Sequence, residues 1–359
     1  MPLERSASGI GKPDAQFRTV DASGAVLLSE TGCVASQEDA VARIGRFLAG
    51  GKFPSPVSVG HRIVHGGPGL LRHCLIDDAV LAHLENAIPF APIHIPAALA
   101  VIHFARANFP NRPQVACLDT SFHADMPDVA CTMPIPEALR SKGIRRYGFH
   151  GLSCESIVHQ LAGNLPERLI VAHLGNGASV TAIRAGKSVD TSMGLTPTGG
   201  VIMGTRTGDL DPGVLVYLIR EKKFDAAALE DLVDHQSGLL GISGLDGDMR
   251  RLHEAASSDN DARLAIEMFC YSVRKQIAAM IAVLGGVDMV VFTGGIGEND
   301  EVVRAMICEG LLWAGIGRIE THSWTGNASV PNSKVRVLPS LEDEQIARHT
   351  WSLLNDVDG

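Results

Sequence analysis

The segment MGTRTGDLDPG, residues 203–213, sets one arginine among closely spaced turn-forming residues. Arg206 lies between two glycines, and Asp209 and Asp211 follow it. A guanidinium group offers several donors in a rigid fork, which suits it to holding a phosphoryl group or a carboxylate. A structural protein gains little from an arginine fixed between two glycine turns. The segment therefore indicates an anion-binding site with Arg206 as its ligand.

Two glycine-rich turns each follow an apolar strand: HLGNG, residues 173–177, and GGIGEN, residues 294–299. Glycine lets backbone N–H groups approach phosphate or adenosine closely, and a helix predicted over residues 300–309 would add the positive end of its dipole. Neither segment fits GxxxxGK[ST] or GxGxxG. For each segment taken separately, an ordinary tight turn is as good an explanation as a nucleotide-binding turn.

Three further segments carry residues that suit acid–base or metal chemistry. GHRIVHGGP, from residue 60, places Arg62 after an apolar strand. Its histidines, His61 and His65, are four residues apart, a spacing that brings two metal ligands together only on a helix. This stretch predicts a strand and a turn, so the spacing is weak evidence for a metal site. YGFHG presents His150, which alone fits a hydrogen-bonded core residue as well as a catalyst. DTSFH begins with Asp119, which fits both a metal-directed carboxylate and a turn residue.

The elements around these segments predict an α/β protein, because short β-branched runs alternate with longer periodic segments. Strands are predicted over residues 115–118, 168–172, 179–183 and 287–293, and helices over residues 77–87, 95–108, 261–284 and 300–309. Asp119 then lies at the carboxyl end of a strand, where open α/β sheets place their sites. A break at residues 165–167 predicts the start of a second domain.

Composition excludes several classes of function. The 359 residues carry a net charge of -9, which leaves no basic field for nucleic acid or an anionic membrane surface. The seven cysteines are scattered and form no CxxC pair, which argues against a disulfide framework or a zinc site. No signal sequence or unbroken apolar span is present. A soluble, cytoplasmic protein is expected.

Together and in this order, the segments resemble the acetate kinase family, within the actin and sugar kinase superfamily. The resemblance runs from about residue 57 to residue 348. It rests on GHRIVHGG, APIHIP, DTSFH, YGFHG, HLGNG, MGTRTGDLDPG, SGLLGISG, GGIGEN and a carboxylate-bearing run near Glu342. Nine matches in sequence order are not expected by chance.

The resemblance implies an α/β fold of two ribonuclease-H-like lobes around a nucleotide cleft. The first lobe would take residues 1–165 and the second residues 166–359, with the segment from about residue 335 returning to the first. It further implies a homodimer paired through the second lobe, ATP or ADP as co-substrate, Mg²⁺ or Mn²⁺ as cofactor, and acetate and acetyl phosphate as the other substrates.

The resemblance also assigns residues to roles. Arg62 and Arg206 would hold the acetate carboxylate and the phosphoryl group, His150 would donate to that group, and Asp119 would be the active-site carboxylate. The remaining residues implied around acetate are Val64, Ile93, His94, Phe149 and Pro197. Those implied at the nucleotide are His173, Leu174, Gly175, Asn176, Gly177, Asp248, Met249, Arg250, Gly295, Ile296, Gly297, Glu298 and Asn299. Glu342 would help to hold the metal.

The chain departs from the family pattern at two places. Met249 stands where the family usually has an aromatic residue. The family's opening strand and turn, N-x-G-S-S-S-x-K, have no match in residues 1–12, so the first lobe is expected to be incomplete at its N-terminus. Three alternatives therefore stay open: an acetate kinase, for which a start site set too late would explain the gap, a propionate or butyrate kinase, and an impaired paralogue that binds nucleotide without turnover.

Overall fold

A computed structural model describes residues 3–8, 16–21, 26–32, 34, 39–40, 42–43, 56–92, 94–317 and 334–355. The strands within these residues are β1 Leu3–Ser8, β2 Gln16–Asp21, β3 Val26–Thr31, β4 Val59–Ile63, β5 Cys74–Leu75, β6 Gln114–Leu118, β7 Arg168–Leu174, β8 Ala178–Arg184, β9 Lys187–Thr191, β10 Met289–Thr293 and β11 Val335–Val337.

The α-helices of the same ranges are α1 Asp78–Asn86, α2 Ile95–Asn108, α3 Asp128–Cys131, α4 Glu137–Arg140, α5 Gly151–Gln160, α6 Pro212–Lys222, α7 Ala226–His235, α8 Gly238–Ser243, α9 Met249–Ala255, α10 Asn260–Leu284, α11 Gly294–Asn299, α12 Glu301–Glu309 and α13 Glu342–Asn355. Short 3-10 helices cover Ile88–Phe90, Ser121–His123 and Leu312–Ala314.

The chain divides into two compact units. The first holds Met1–Ile63, His73–Cys117 and Arg348–Gly359, and the second holds Val64–Arg72 and Leu118–Ala347. The lobe boundary near residue 166 stays a prediction.

The first unit contains two three-stranded sheets. One is antiparallel in the order β1-β2-β3, and the other has the order β4-β6-β5. Helix α2 begins with Pro96 in its first turn, where the missing N–H of proline costs nothing, and it packs on α1 and β4. Ile63, Leu84 and Ile102 are fully buried in this unit.

The second unit is built on a five-stranded sheet with helices on both faces. The order is β11-β10-β7-β8-β9, with β7, β10 and β11 parallel and β7-β8-β9 an antiparallel meander. Successive residues of β7 face opposite sides. Ile170 and Ala172 join the core beneath α10, whereas Leu169 and Val171 join the core with Ile157 of α5.

Most predicted elements are confirmed with shifts of one or two residues at their ends. The helix expected over residues 261–284 is α10, which begins after Asp259, whose carboxylate accepts hydrogen bonds from Asp261 N and Ala262 N. The helix expected over residues 300–309 is α12, and Asp300 caps it in the same way. Helix α2 has the predicted bounds.

Two local expectations are corrected. GGIGEN, predicted as a turn, is itself the helix α11, which follows β10 without a loop. In HLGNG the strand runs on through Leu174, so the turn is confined to residues 175–177. β1, the strand ahead of Gly9, has mixed composition, which agrees with a sequence that shows no apolar strand there. The absence of the family's phosphate-binding turn stays a prediction, since residues 9–15 lie outside the described residues.

Two observations bear on the environment of the protein. In the described part of the chain, no helix has both the length and the apolar character needed to cross a membrane. The cysteines that the structure describes all carry free thiols: Cys74, Cys117, Cys131, Cys154, Cys270 and Cys308.

Candidate active site

His150 has an unusual backbone at the start of α5. Its φ of 57° and ψ of 29° lie in the left-handed region, which is costly for a residue with a side chain. Gly151 donates its N–H to Asp119 O at 2.8 Å, and a Cβ at Gly151 would lie 2.3 Å from that same oxygen. The backbone at Gly151, directly after His150, therefore lies against the backbone of Asp119, a residue that is 1% exposed.

His123, the histidine of DTSFH, is a fully buried support for this turn. Its Nδ1 lies 2.8 Å from Ser188 Oγ and its Nε2 lies 3.0 Å from Phe149 O. Burial lowers the pKa of His123 to about 4, so the ring is neutral at physiological pH. A Cβ at Gly148 would lie 2.8 Å from this ring, which explains the glycine there.

The side chains of His150 and Arg206 converge on the HLGNG turn. A Cβ built on Gly177 would lie 3.3 Å from His150 Nε2 and 3.4 Å from Arg206 Nη1. Arg206 Nη1 also donates to Pro197 O at 3.2 Å. Burial lowers the pKa of Arg206 from its ordinary value, but a guanidinium remains charged at neutral pH. Two nitrogen groups therefore face one small volume above a glycine.

Helix α8, the SGLLGIS stretch, fixes the backbone of the Arg206 loop. Leu239 N donates to Met203 O at 2.9 Å, and Leu240 N donates to Gly204 O at 2.9 Å. Gly238 has a φ of +62°, and a Cβ on it would lie 2.2 Å from Met203 O and 2.6 Å from Arg206 O. The start of α8 thus rests directly on the backbone of Arg206.

Close contacts also join the glycine segments to one another. A Cβ on Gly204 would lie 2.3 Å from Asn176 Oδ1, and one on Gly247 would lie 2.7 Å from Gly204 O. On the other side of the turn, a Cβ on Gly294 would lie 2.8 Å from Leu174 O. HLGNG therefore contacts both the Arg206 loop and helix α11, and the segment before α9 packs on the Arg206 loop in turn.

The rings of His150 and His173 stack, with centroids 4.2 Å apart and planes 24° apart. Each ring is anchored by a serine from a different element. Nδ1 of His150 lies 3.0 Å from Ser179 Oγ on β8, and Nδ1 of His173 lies 2.8 Å from Ser153 Oγ on α5. The anchors leave Nε2 of His150 facing Gly177.

Glu298 and Glu342 are linked through Ser340. Glu298 Oε1 accepts from Gly294 N at 2.9 Å and from Ser340 N at 3.0 Å. The hydroxyl of Ser340 lies 3.1 Å from Glu342 Oε1 and 3.0 Å from Ser153 Oγ. The side chain of Glu298 therefore stabilises the start of α11 and the segment that carries Glu342.

Asp248, Met249 and Arg250 occupy the start of helix α9. Asp248 caps the helix by accepting from Arg250 N, and its carboxylate pairs with the Arg250 guanidinium at 2.6 Å. This pair holds the pKa of Asp248 below its ordinary value. Met249 is 2% exposed and packs in the core with Leu252, whereas Arg250 is exposed.

The remaining predicted residues divide between the two units. Val64 and Phe149 belong to the second unit, where Val64 packs against the core that contains Phe149. Arg62 and His94 belong to the first unit, with Arg62 exposed and His94 half-buried. Ile93 lies outside the described residues.

His61 and His65, considered as metal ligands because of their spacing, make separate structural contacts. His61, on β4, lies 2.9 Å from Gln114 Oε1. His65 accepts from Gly67 N through Nδ1 and lies 3.2 Å from Leu195 O through Nε2, and burial lowers its pKa to about 4. The strand-and-turn prediction for this segment is confirmed, because β4 ends at Ile63.

The comparisons with known proteins decide the family. The model of the Acetokinase family matches residues 13–348. The chain belongs to the acetokinase family. It is 46% identical over 310 residues to an acetate kinase from Methylocella silvestris, a match that covers 84% of this chain and 76% of that protein. It is 41% identical over 362 residues to an acetate kinase from Chloroherpeton thalassium, covering 93% and 87%.

Solved structures of the same family share the fold. An acetate kinase from Porphyromonas gingivalis superposes with a TM-score of 0.83 at 34% identity, covering 98% of this chain and 93% of that one. A propionate kinase from Francisella tularensis superposes with a TM-score of 0.86 at 34% identity, with the same coverage. The predicted fold class, an α/β protein of the two-lobe actin-like type, is confirmed.

Within this member of the acetokinase family, sequence reasoning missed several residues that hold the site. Ser153, Ser179 and Ser340 contact predicted site residues, yet a single serine carries no distinguishing signal. Gly238 was visible only as part of the family-like run SGLLGISG.

Proposed function

We propose that this chain transfers the γ-phosphoryl group of ATP to acetate, reversibly, and forms acetyl phosphate and ADP. The observation that carries the proposal is the convergence of His150 Nε2 and Arg206 Nη1 on Gly177. The names of the similar curated proteins, acetate kinases at 41–46% identity, favour acetate as the acceptor.

The acceptor determines what the protein must supply. A simple carboxylic acid resembles the glutamate side chain, with a pKa of about 4.3, so acetate is ionised at neutral pH and needs no general base. Two anions must instead be brought together, and the charge on the transferring oxygens must be neutralised. We assign this work to Arg206 and His150, and the role that the family resemblance implies for Arg62 stays a prediction.

His150 suits the role of a neutral donor. If the Ser179 hydroxyl donates to Nδ1, then Nε2 carries the ring proton and donates toward the space above Gly177. A donor preorganised in a half-enclosed site stabilises developing charge without reorganising during the reaction. Transfer is then direct and in line, and Asp119 orients groups rather than becoming phosphorylated.

The nucleotide is assigned to the glycine-lined surface around HLGNG. Residues 173–177 would approach its phosphates, Asp248, Met249 and Arg250 the adenosine, and Gly295, Ile296, Gly297, Glu298 and Asn299 would complete the site. Gly295 and Arg250 are exposed and therefore accessible to a ligand. Since Met249 is buried, its part would be to support the surface rather than to stack on a base. Glu298 would likewise act by holding the start of α11.

The carboxylates fit Mg²⁺ or Mn²⁺. Hard cations prefer carboxylate oxygens, and the buried carboxylate of Asp119 is costly to keep ionised without positive charge nearby. Burial raises the pKa of Cys154 on α5 to about 12, and the negative charges of Glu155, Glu342 and Asp119 act in the same direction. We propose Glu342 and Asp119 as holders of the metal, which would neutralise charge on the nucleotide phosphates when bound.

Of the residues that the family resemblance implies around acetate, we assign acceptor size to Val64, Phe149 and Pro197, which all belong to the second unit. A pocket of this kind discriminates by about 1–3 kcal/mol per methylene. Propionate is therefore expected to react more slowly than acetate, and butyrate more slowly again. The propionate kinase among the similar structures makes the acceptor series a necessary measurement.

The test is acyl phosphate formation, trapped with hydroxylamine, by the purified chain with ATP, Mg²⁺ and acetate, propionate or butyrate. We expect the highest kcat/KM with acetate, and a loss of about 10²–10³-fold in kcat for Arg206→Ala and for His150→Ala. Arg140→Ala, which removes an exposed arginine of α4, is the matched control.

Two results of this assay would overturn the proposal. A higher kcat/KM with propionate or butyrate would make the chain a different acyl kinase. ATP binding by a folded chain that forms no acyl phosphate would make it a nucleotide-binding paralogue. If Arg206→Ala were as active as the control variant, Arg206 would not hold the reacting anions above Gly177.

We further propose a homodimer formed through helix α6. None of its eleven residues is buried, although it is mainly apolar, and Val214, Val216, Tyr217 and Ile219 are 38–54% exposed. A second copy of this chain would cover them. A cytoplasmic location, favoured by the scattered free thiols, also remains a proposal.

A further inference from the structure

The polar groups between Glu342 and His173 form one continuous line of hydrogen bonds. Glu342 Oε1 lies 3.1 Å from Ser340 Oγ, which lies 3.0 Å from Ser153 Oγ, which lies 2.8 Å from His173 Nδ1. Ser153 is fully buried and Ser340 is half-buried. Two hydroxyl groups thus bridge a carboxylate to an imidazole.

The backbone of Ser340 is fixed independently of its hydroxyl. Its N–H donates to Glu298 Oε1 at 3.0 Å, and the next residue, Leu341, donates its N–H to Ser156 Oγ at 3.3 Å. These contacts hold the segment against α5 and α11. Because the backbone is already fixed, the hydroxyl of Ser340 loses little conformational entropy when it forms its hydrogen bonds in the line.

The direction of donation along the line follows from the chemistry of its ends. Each serine hydroxyl has one proton to donate, and an ionised carboxylate only accepts. The Ser340 hydroxyl is placed to donate to Glu342 Oε1 or to Ser153 Oγ, and it has only one proton. A hydrogen bond to a charged acceptor is the stronger choice, so we assign that proton to Glu342 and assign the proton of the Ser153–Ser340 bond to Ser153. Ser153 then has only lone pairs for His173, and Nδ1 of His173 must carry a proton.

We propose that Ser340 and Ser153 are positioning residues that relay the charge of Glu342 to His173 and so fix the proton on its Nδ1. The consequence reaches His150, because its ring stacks on His173 at 4.2 Å. A ring held through one defined hydrogen bond keeps a single orientation, and its stacked neighbour is held with it. The relay thereby aligns Nε2 of His150 with the space above Gly177. Its kinetic consequence rests on the proposed function, whereas the proton position does not.

The proton position is measured directly from ring ¹⁵N signals of ¹⁵N-histidine-labelled protein, with His173→Gln used for assignment. In the unsubstituted chain we expect the pattern of a proton on Nδ1. Ser340→Ala frees Ser153 to donate to Nδ1, so the signal should move toward the tautomer protonated on Nε2. Ser340→Thr keeps a hydroxyl and should keep the original pattern.

Ser156→Ala is the matched control for this measurement. Ser156 is also buried on α5 and also bonds the segment after Pro339, but its hydroxyl lies outside the line. It should leave the His173 signals unchanged. An unchanged His173 pattern in Ser340→Ala, or an equal change in Ser156→Ala, would overturn the relay.

Kinetics supply the second readout. Ser340→Ala and Ser153→Ala should each lower kcat about tenfold, the lower end of what supporting residues of this kind contribute. The KM for acetate should stay within about twofold. The double variant should be no slower than either single one, since both break the same line. Additive losses would contradict the relay. If no variant or parent chain forms acyl phosphate, the proposed function fails while the ring signals still decide the relay.

Discussion

At the scale of single residues, Gly177 limits what can approach His150 and Arg206. The Cβ of an alanine there would lie 3.3 Å from His150 Nε2 and 3.4 Å from Arg206 Nη1. The distance to His150 Nε2 is shorter than an ordinary van der Waals contact and the distance to Arg206 Nη1 is at its limit, so the ring of His150 must move by a few tenths of an ångström. The same methyl group would occupy the volume in which a phosphoryl oxygen is proposed to sit.

Gly177→Ala is therefore expected to lower kcat by about 10²-fold, the size of loss that follows from misplaced reacting groups. The melting temperature should change little, because no backbone atom lies in the path of the new methyl group. Gly194→Ala is the control, since its Cβ would meet only the flexible end of Met133 at 3.4 Å. Retention of half or more of the activity by Gly177→Ala would contradict the proposed site.

His123 makes stability depend on pH. Its pKa is about 4 in the folded protein and about 6.5 in an unfolded chain, so the unfolded chain binds more protons between these values. Stability is then complete above about pH 6.5 and is lost as the pH falls toward 4. His65, with a pKa also about 4, acts in the same direction.

His123→Gln should flatten this dependence. Glutamine retains a donor and an acceptor for Phe149 O and Ser188 Oγ but does not titrate. Denaturant unfolding measured from pH 7.5 to pH 5 should show a shallower loss of unfolding free energy than the parent chain, by up to about 1.4 kcal/mol per pH unit. Parallel curves for the two proteins would show that His123 does not titrate on unfolding.

At the scale of elements, the short helix α8 offers a pair of glycines that differ in one respect. Gly238 and Gly244 flank its ends with φ values of +62° and +64°. Alanine in either place costs about 1–2 kcal/mol for the left-handed backbone. Only at Gly238 would the new Cβ collide, because it would lie 2.2 Å from Met203 O and 2.6 Å from Arg206 O, whereas Gly244 has open space.

Gly238→Ala should therefore displace the backbone of Arg206 and lower kcat by about 10²-fold, beyond its effect on stability. Gly244→Ala should lower the free energy of unfolding by a similar amount, because its backbone is also left-handed, but it should retain its kcat. Steady-state kinetics and urea unfolding of both variants separate the two effects. Equal kcat values for the pair would show that α8 does not position Arg206.

The sequence predicts helices and strands where the residues that start or end them lie close by in the chain. Pro96 fixes the first turn of α2, and Asp259 and Asp300 mark the starts of α10 and α12 as capping residues. Helix α11 was not predicted, because its glycines have poor helix propensity and its first N–H is satisfied by Glu298.

Contacts between distant segments explain what sequence did not yield about the site. The family motifs indicated His150, Arg206 and Glu342, but the bond between Ser153 and Ser340 joins residues 187 positions apart. No periodicity or spacing encodes such a pair. Likewise, the burial of Met249 depends on how α9 packs on α10, which a single sequence does not specify.

At the scale of the whole molecule, the apolar exposure of α6 is the observation behind the proposed homodimer. Tyr217 is 54% exposed and Val214 is 38% exposed, on a helix that contributes no residue to the core. Leaving these side chains in water costs about 25 cal/mol per Å² of apolar surface, which a second copy would recover by covering them. Obligate homodimer interfaces are apolar in this way.

The double variant Val214→Lys/Tyr217→Lys is therefore expected to shift the chain from dimer to monomer in sedimentation velocity at micromolar concentration. Two lysines on each face would put four positive charges across a proposed two-fold contact, where like charges repel. Val129→Lys is the matched control, because Val129 is 92% exposed on α3. A parent chain that sediments as a monomer would refute the homodimer. A double variant that remains dimeric would place the contact on a surface other than α6.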